Sequence, residues 1–450
     1  MREYDTERLK ALDIAHHLHP RTNLKRHATN GPFILAKGDG VHIWDTDGNQ
    51  YIDAAAGLWN INVGHGRREL AEMARQQIEE IAYGPTFFGL ATPPAIELAA
   101  KLAGMYPGPI NHFQFTSGGA ESNETAIKIA RYYWALKGQP EKVTIISRFI
   151  GYHGIAMGAL SATGMPAFWE NFGPRPEGFV HLMAPYPYRN ADDVDDEEAF
   201  VDKLIQELED TIERVGAENI AAMIGEPIQG AGGVIVPPDA YWTRLEEVLS
   251  ANDILLIADE VITGFGRTGE MFGAQTYGFQ PDIVSIAKGI SSGYIPLGAV
   301  GVSDEINDVM LEPDAMFMHG FTYSGHPVAC AVAITNIGII EDEKLAANAA
   351  EQGDYLLSKL EELGPHQNVG DVRGKGMMMM VEVVKDKDSK EPFTTSDDAG
   401  PRLAQAVRKH GIVPFASEKG IMISPPLTIT RDEADQIAEA VRRSIVEVFG

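Results

Sequence analysis

Six short apolar runs recur along the middle of this 450-residue chain, at 112–116, 143–147, 221–225, 254–258, 283–287 and 298–302. Helix-period segments such as 121–137, 196–214 and 239–251 separate them. A strand without polar alternation must be covered on both faces, since either face exposed to water would waste its apolar side chains. Strands alternating with helices meet that demand with a mostly parallel central sheet and helices packed on both sides. The expected class is therefore α/β. In open sheets of this kind ligands bind beyond the carboxyl ends of the strands, so the residues that follow each apolar run are where chemistry is to be sought.

The flanks read differently. Residues 40–53 alternate apolar with polar around Asp47-Gly48-Asn49, a β-hairpin pattern. Beyond Pro327 the period is helical through 331–364, then 369–383 reads as strands, with Met377 to Met380 as core, and 430–449 as a helix. The expected organisation is a large domain over 67–327 and a smaller α+β domain over 328–450, joined by the N-terminal segment 1–66. Residues 186–200 read as an exposed acidic loop leading into a helix. The cluster His16, His17 and His19 has no acidic or further histidine partner in view at helical spacing, so no metal site is expected.

Composition narrows the function. The net charge is −27 and the sequence pI is about 4.8, which argues against binding nucleic acid or an anionic membrane surface. One cysteine, Cys330, excludes an intrachain disulfide and a cysteine-based metal site. The N-terminus has no apolar signal region, and no apolar stretch approaches the ~18 residues of a spanning helix. A soluble cytoplasmic protein is expected.

Lys288 ends the run 283–287 and is followed by Gly289, Ser291, Ser292 and Gly293. Burial at a strand end favours a free amine over an ammonium, and a free amine is the nucleophile of carbonyl chemistry. Asp259 ends the run one βαβ unit upstream. Gly118, Gly119 and Ala120 open a helix after the run 112–116, so their backbone N–H groups form an anion cradle. Tyr152 lies between Gly151 and Gly154 after the run 143–147, and Glu226 follows the run 221–225. A phosphate cradle, an aromatic ring, two acids and a lysine at neighbouring strand ends suit pyridoxal 5'-phosphate. The glycine fingerprint of dinucleotide binding is missing, which disfavours an NAD dehydrogenase.

Three stretches carry a resemblance: Ala-Asp-Glu-Val-Ile-Thr-Gly-Phe-Gly-Arg-Thr-Gly at 258–269, Ser-Ile-Ala-Lys-Gly-Ile-Ser-Ser-Gly-Tyr at 285–294, and His-Gly-Phe-Thr-Tyr-Ser-Gly-His-Pro at 319–327. On them the chain resembles the class III, or ω-, aminotransferases of the fold type I pyridoxal-phosphate enzymes, nearest the amine or ω-amino acid–pyruvate branch. The resemblance implies Lys288 as the Schiff-base lysine and Asp259 as the partner of the pyridine nitrogen. Val261 and Tyr152 would lie on opposite faces of the cofactor ring, and Glu226 would stand nearby. Gly118, Gly119 and Ala120 would hold the phosphate, with Thr322 reaching it from a second subunit of a homodimer, or of a tetramer built from dimers. Leu58, Trp59 and Phe88 would line the substrate pocket, Phe88 again from the partner.

Two positions depart from the family's pattern. Ala231 stands where ornithine- and GABA-type relatives carry a glutamate. Phe415, ten residues before Pro425, stands where many amine–pyruvate enzymes carry an arginine that binds carboxylates, and residues 411–424 contain no arginine. The resemblance implies ping-pong transfer from a primary amine or ω-amino acid to a keto acid such as pyruvate. A taurine- or diamine-specific transaminase, an aminomutase or decarboxylase on the same fold, and a cofactor-free binding protein remain alternatives.

Overall fold

The computed structural model describes residues 3–450. An antiparallel three-stranded sheet comes first, from β1 (Leu35–Asp39), β2 (His42–Asp45) and β3 (Gln50–Ile52). Seven strands then build the central sheet: β4 (Ile110–Thr116), β5 (Thr144–Arg148), β6 (Phe179–Leu182), β7 (Ile220–Gly225), β8 (Leu255–Asp259), β9 (Ile283–Ile286) and β10 (Gly298–Ser303). Their spatial order is β4-β10-β9-β8-β7-β5-β6. From β9 through β8, β7 and β5 to β6 every pairing is parallel, and β10 alone runs antiparallel to both of its neighbours.

The physical reason is visible in β7, Ile-Ala-Ala-Met-Ile-Gly, in which every residue is buried. Such a strand is stable only between two helical layers. The helices Gly119–Leu136, Glu197–Val215 and Tyr241–Ala251 supply part of them. The strand absent from the apolar-run reading is β6, Phe-Val-His-Leu, a short edge strand interrupted by His181 and paired with β5 alone.

Toward the C-terminus, β11 (Val369–Lys375), β12 (Met378–Asp386), β14 (Phe415–Ser417) and β15 (Gly420–Ile423) form a sheet in the order β11-β12-β15-β14, with β13 (Glu391–Pro392) beside β12. Met377 to Met380 are at most 1% exposed and belong to its core. The N-terminal sheet is stitched to this region: Ile52 N–H donates to Gly411 O at 2.9 Å, and Ser424 N–H to Ala54 O at 2.7 Å. No helix among the described residues is long and apolar enough to cross a membrane.

Two expectations need correction. The stretch 186–200 is not exposed throughout. Tyr186 is buried and its hydroxyl donates to Glu382 of β12, whose carboxylate also takes Arg189 Nε at 2.9 Å and Arg373 Nη1 at 2.7 Å. A buried carboxylate needs such partners, so this end of the segment is fixed in place, and exposed acids begin only at Asp192. The histidine cluster does have an acidic partner. Asp13 sits one helical turn before His17 and accepts from His17 (3.1 Å), His19 (2.8 Å) and His27 (2.7 Å). Against the cost of desolvation, the hydrogen bonds from His19, His27 and His17 hold Asp13 down at about 2. The cluster ties the helix Thr6–His16 to the helix Leu24–Asn30.

Candidate active site

Strand ladders set the centre. Asp259 closes β8 and pairs with Ser285 of β9. Three residues past Ser285 the chain turns at Lys288, a left-handed residue with φ 47°. Such a conformation costs a non-glycine residue on the order of 1 kcal/mol and is held by its surroundings. Asn336 Nδ2 donates to Gly289 O (2.8 Å) and Ile290 O (3.0 Å), locking the turn. A side chain at Gly289 would meet Asn62 Nδ2 at 2.5 Å and Phe265 Cβ at 3.0 Å, so any larger residue forces a shift there.

The Lys288 amine is pushed down to about 8 by desolvation, against the opposing pull of Asp259 and Glu226, with Arg267 lowering it a little further. Asp259 is 2% exposed and has three hydrogen-bond partners. Its Oδ2 accepts from Asn123 Nδ2 (2.7 Å) and lies 2.7 Å from His153 Nδ1, and its Oδ1 accepts from Val261 N–H (3.1 Å). Glu226, also buried, takes Tyr152 N–H and Gly230 N–H, each at 2.9 Å. Burial pushes its carboxyl up. Tyr152 is half-buried against Phe168, with ring centroids 5.5 Å apart.

The family model described as Aminotransferase class-III matches residues 24–445. The chain belongs to the class-III aminotransferases. It is 46% identical over 441 residues to a putrescine–pyruvate aminotransferase of Pseudomonas aeruginosa, covering 98% of this chain and 96% of that one. It is 39% identical to a diaminobutyrate–2-oxoglutarate transaminase of Halomonas elongata, covering 92% and 90%. Among solved structures it is similar to a thermostable (S)-enantioselective ω-transaminase from Thermomicrobium roseum, at 60% identity, full coverage of both chains and a TM-score of 0.98. An ω-transaminase of Pseudomonas jessenii in complex with PMP matches at 41% identity, 98% coverage of each chain and a TM-score of 0.94. This aminotransferase is a fold type I enzyme that depends on pyridoxal 5'-phosphate and transfers an amino group to a keto acid.

The residues of this chain fit that cofactor. The helix Gly119–Leu136 has no side-chain cap at its N-terminus, and open space lies around the Cβ direction of Gly118. Unpaired backbone N–H groups facing such a space favour an anion. Gly119 is crowded instead: a methyl there would lie 2.7 Å from Val261 Cγ1. Ala120 packs on Gly154, where an added methyl would meet the Ala120 side chain at 2.8 Å. The aminotransferase thus brings the cradle, Val261, Tyr152, Glu226, Asp259 and Lys288 to one edge of the sheet.

The remaining candidates stand farther out. Trp59 is buried and stacks on Phe415, with centroids 5.7 Å apart and planes 14° from parallel. Ala231 is half-buried and Leu58 is exposed. Phe88 is 98% exposed, and Thr322 lies on an exposed stretch whose carbonyl accepts from the Tyr83 hydroxyl at 2.7 Å. Two polar residues that hold Asp259 escaped the sequence reading. Asn123 carried a signal, since it lies one helical turn beyond Gly119 on the face of the cradle. His153 carried a weaker one, as the residue next to Tyr152 at the same strand end.

Proposed function

We propose that this aminotransferase takes its amino group from a primary amine or ω-amino acid, a small diamine being the leading donor, and passes it to pyruvate. The relative that acts on putrescine and pyruvate, and the apolar wall of Trp59 and Phe415, support this reading. Bound pyridoxal 5'-phosphate supplies an electron sink for the carbanion formed at the donor carbon. Gly118, Gly119 and Ala120 hold its phosphate through backbone N–H groups at the helix N-terminus. Asp259, held by Asn123 and by Val261 N–H, would be the counter-charge for the pyridinium. His153 orients that carboxylate. Val261 and Tyr152 enclose the two ring faces and exclude water. Lys288 takes the proton from the donor carbon and returns it on the other side of the reaction. Desolvation, which pushes this amine down to about 8 in the cofactor-free chain, favours the free amine that the task needs.

The working unit of the proposal is a homodimer. Phe88, Met318 and Tyr323 are large apolar side chains left exposed on the protomer, and Phe88 and Thr322 then complete the partner's site. Residues 67–327 are read as the cofactor-binding domain, and 328–450 with 1–66 as the smaller one.

The observation that carries the reading is the desolvated Lys288 amine set among Asp259, Glu226 and an uncapped helix N-terminus. The test is spectroscopic. Putrescine alone shifts the cofactor absorbance of the holoenzyme, and pyruvate alone restores it. Lys288→Ala abolishes both half-reactions. A spectrum that never cycles with any primary amine sinks the proposal.

A further inference from the structure

A keto acid carries a carboxylate into an aromatic pocket, where an anion without a cation is costly. Phe415 provides no charge there, and residues 411–424 offer no arginine. We infer that Arg21 supplies the missing cation: the loop between the helices Thr6–His16 and Leu24–Asn30 carries a carboxylate-binding arginine to the mouth of the pocket. Its ligands are the carboxylates of small α-keto acids and of the amino acids that correspond to them. The inference rests on the keto-acid transamination proposed above.

Two contacts place Arg21. Its guanidinium carbon stands 5.0 Å from the centroid of Phe168, and Phe168 packs on Tyr152 with centroids 5.5 Å apart. The guanidinium is therefore one aromatic ring away from Tyr152. The positive charge of Arg21 reaches the Tyr152 phenol, opposing the rise that burial causes. On the other side, Thr22 and Asn23 share a cavity with Ala416, Ser417 and Glu418. Ala416 and Ser417 belong to β14, the strand that opens with Phe415. Arg21 thus lies on the Tyr152 side of the site, and the two residues that follow it border β14.

The loop is built to hold it. Arg21 adopts the left-handed region at φ 48°, a conformation that persists in a bulky residue only when its flanks impose it. Upstream, His19 is bonded to Asp13 at 2.8 Å, and Thr22 Oγ1 donates to Pro20 O at 2.9 Å. Downstream, Asn23 caps the next helix by accepting from Arg26 N–H at 3.0 Å, and His27 of that helix returns to Asp13 at 2.7 Å. The Asp13–histidine cluster is therefore a clasp that fixes both ends of the Arg21 loop. No carboxylate of the described residues pairs with Arg21. The contact with Phe168 takes up none of the guanidinium's hydrogen bonds, so its N–H fork stays available for a bidentate carboxylate.

The test compares wild-type holoenzyme with Arg21→Ala and Arg21→Lys. The amino form of each is reacted with pyruvate and with butanal, which has no carboxylate. The loss of charge-assisted hydrogen bonds in Arg21→Ala is expected to lower the ratio of kcat/KM for pyruvate to that for butanal at least about tenfold, mainly through KM. Arg21→Lys recovers part of it, and adding Phe415→Arg to Arg21→Ala restores selectivity for pyruvate. A readout without turnover accompanies this: the Kd of propionate, followed by tryptophan fluorescence, rises about tenfold in Arg21→Ala. An unchanged acceptor ratio, or an unchanged propionate Kd, overturns the assignment. Wild-type enzyme that binds propionate through Arg21 but does not turn over pyruvate sinks the proposed acceptor and leaves Arg21 as a carboxylate site.

Discussion

In the cofactor-free enzyme Lys288 should titrate near pH 8 instead of 10.5, because burial strips its ammonium of water faster than Asp259 and Glu226 compensate. The displacement corresponds to about 3 kcal/mol against the charged form. At pH 7 an amine of that pKa is about 9% free base, whereas an ordinary lysine is about 0.03% free base, a roughly 300-fold difference in available nucleophile. Uptake of pyridoxal 5'-phosphate by the cofactor-free enzyme, followed by stopped-flow absorbance from pH 6 to 10.5, reads that fraction directly. The same series with a lysine peptide removes the cofactor's own ionisations. The uptake rate, corrected in this way, should climb about tenfold per pH unit below 8 and level off above it. Glu226→Gln should move the midpoint down, since it removes a charge that favours the ammonium. A rate that still climbs through pH 10 refutes the reasoning. Stability follows the same proton. Between pH 8 and about 10.5 the unfolded chain keeps the Lys288 proton that the folded chain has shed, so this group makes stability rise with pH across that window. Below pH 8 the cofactor-free Lys288→Met protein should accordingly melt above the wild type.

Three further outcomes are expected. His153→Phe removes one of two side-chain partners from the buried Asp259 Oδ2, which should cost about 1–3 kcal/mol. Calorimetry should record it as a lower Tm together with a lower kcat. Gly119→Ala drives a methyl to 2.7 Å from Val261 Cγ1, so equilibrium dialysis should find weaker retention of the cofactor, and Val261→Ala should recover it in the double variant. Phe415→Leu ends a ring stack with Trp59 that contributes about 0.5–1.5 kcal/mol. The loosened wall should raise kcat/KM for arylalkyl amines relative to short diamines in a donor panel.

The alternation of buried runs with helical periods determined the α/β class, the sheet's carboxyl edge and the placing of Lys288 and Asp259 upon it. Each of those facts is local: a strand end is legible from the few residues around it, and in a parallel sheet strand ends gather on one side. β6 escaped because an edge strand has a single neighbour and no need for an unbroken apolar run. Only the tertiary structure decided what holds Asp259. His153 lies 106 residues away in the chain and Asn123 lies 136 away, and they meet at one oxygen because β5 and β8 end at the level where the helix after β4 begins. Arg21 was hidden for the same reason. A polar residue in an N-terminal loop has no periodicity to betray it, and its placing appears only when long-range packing sets it over Phe168. Short-range steric and hydrophobic periods write the elements into the sequence, whereas the meeting of side chains more than a hundred residues apart depends on strand register and crossover geometry, which no local pattern encodes.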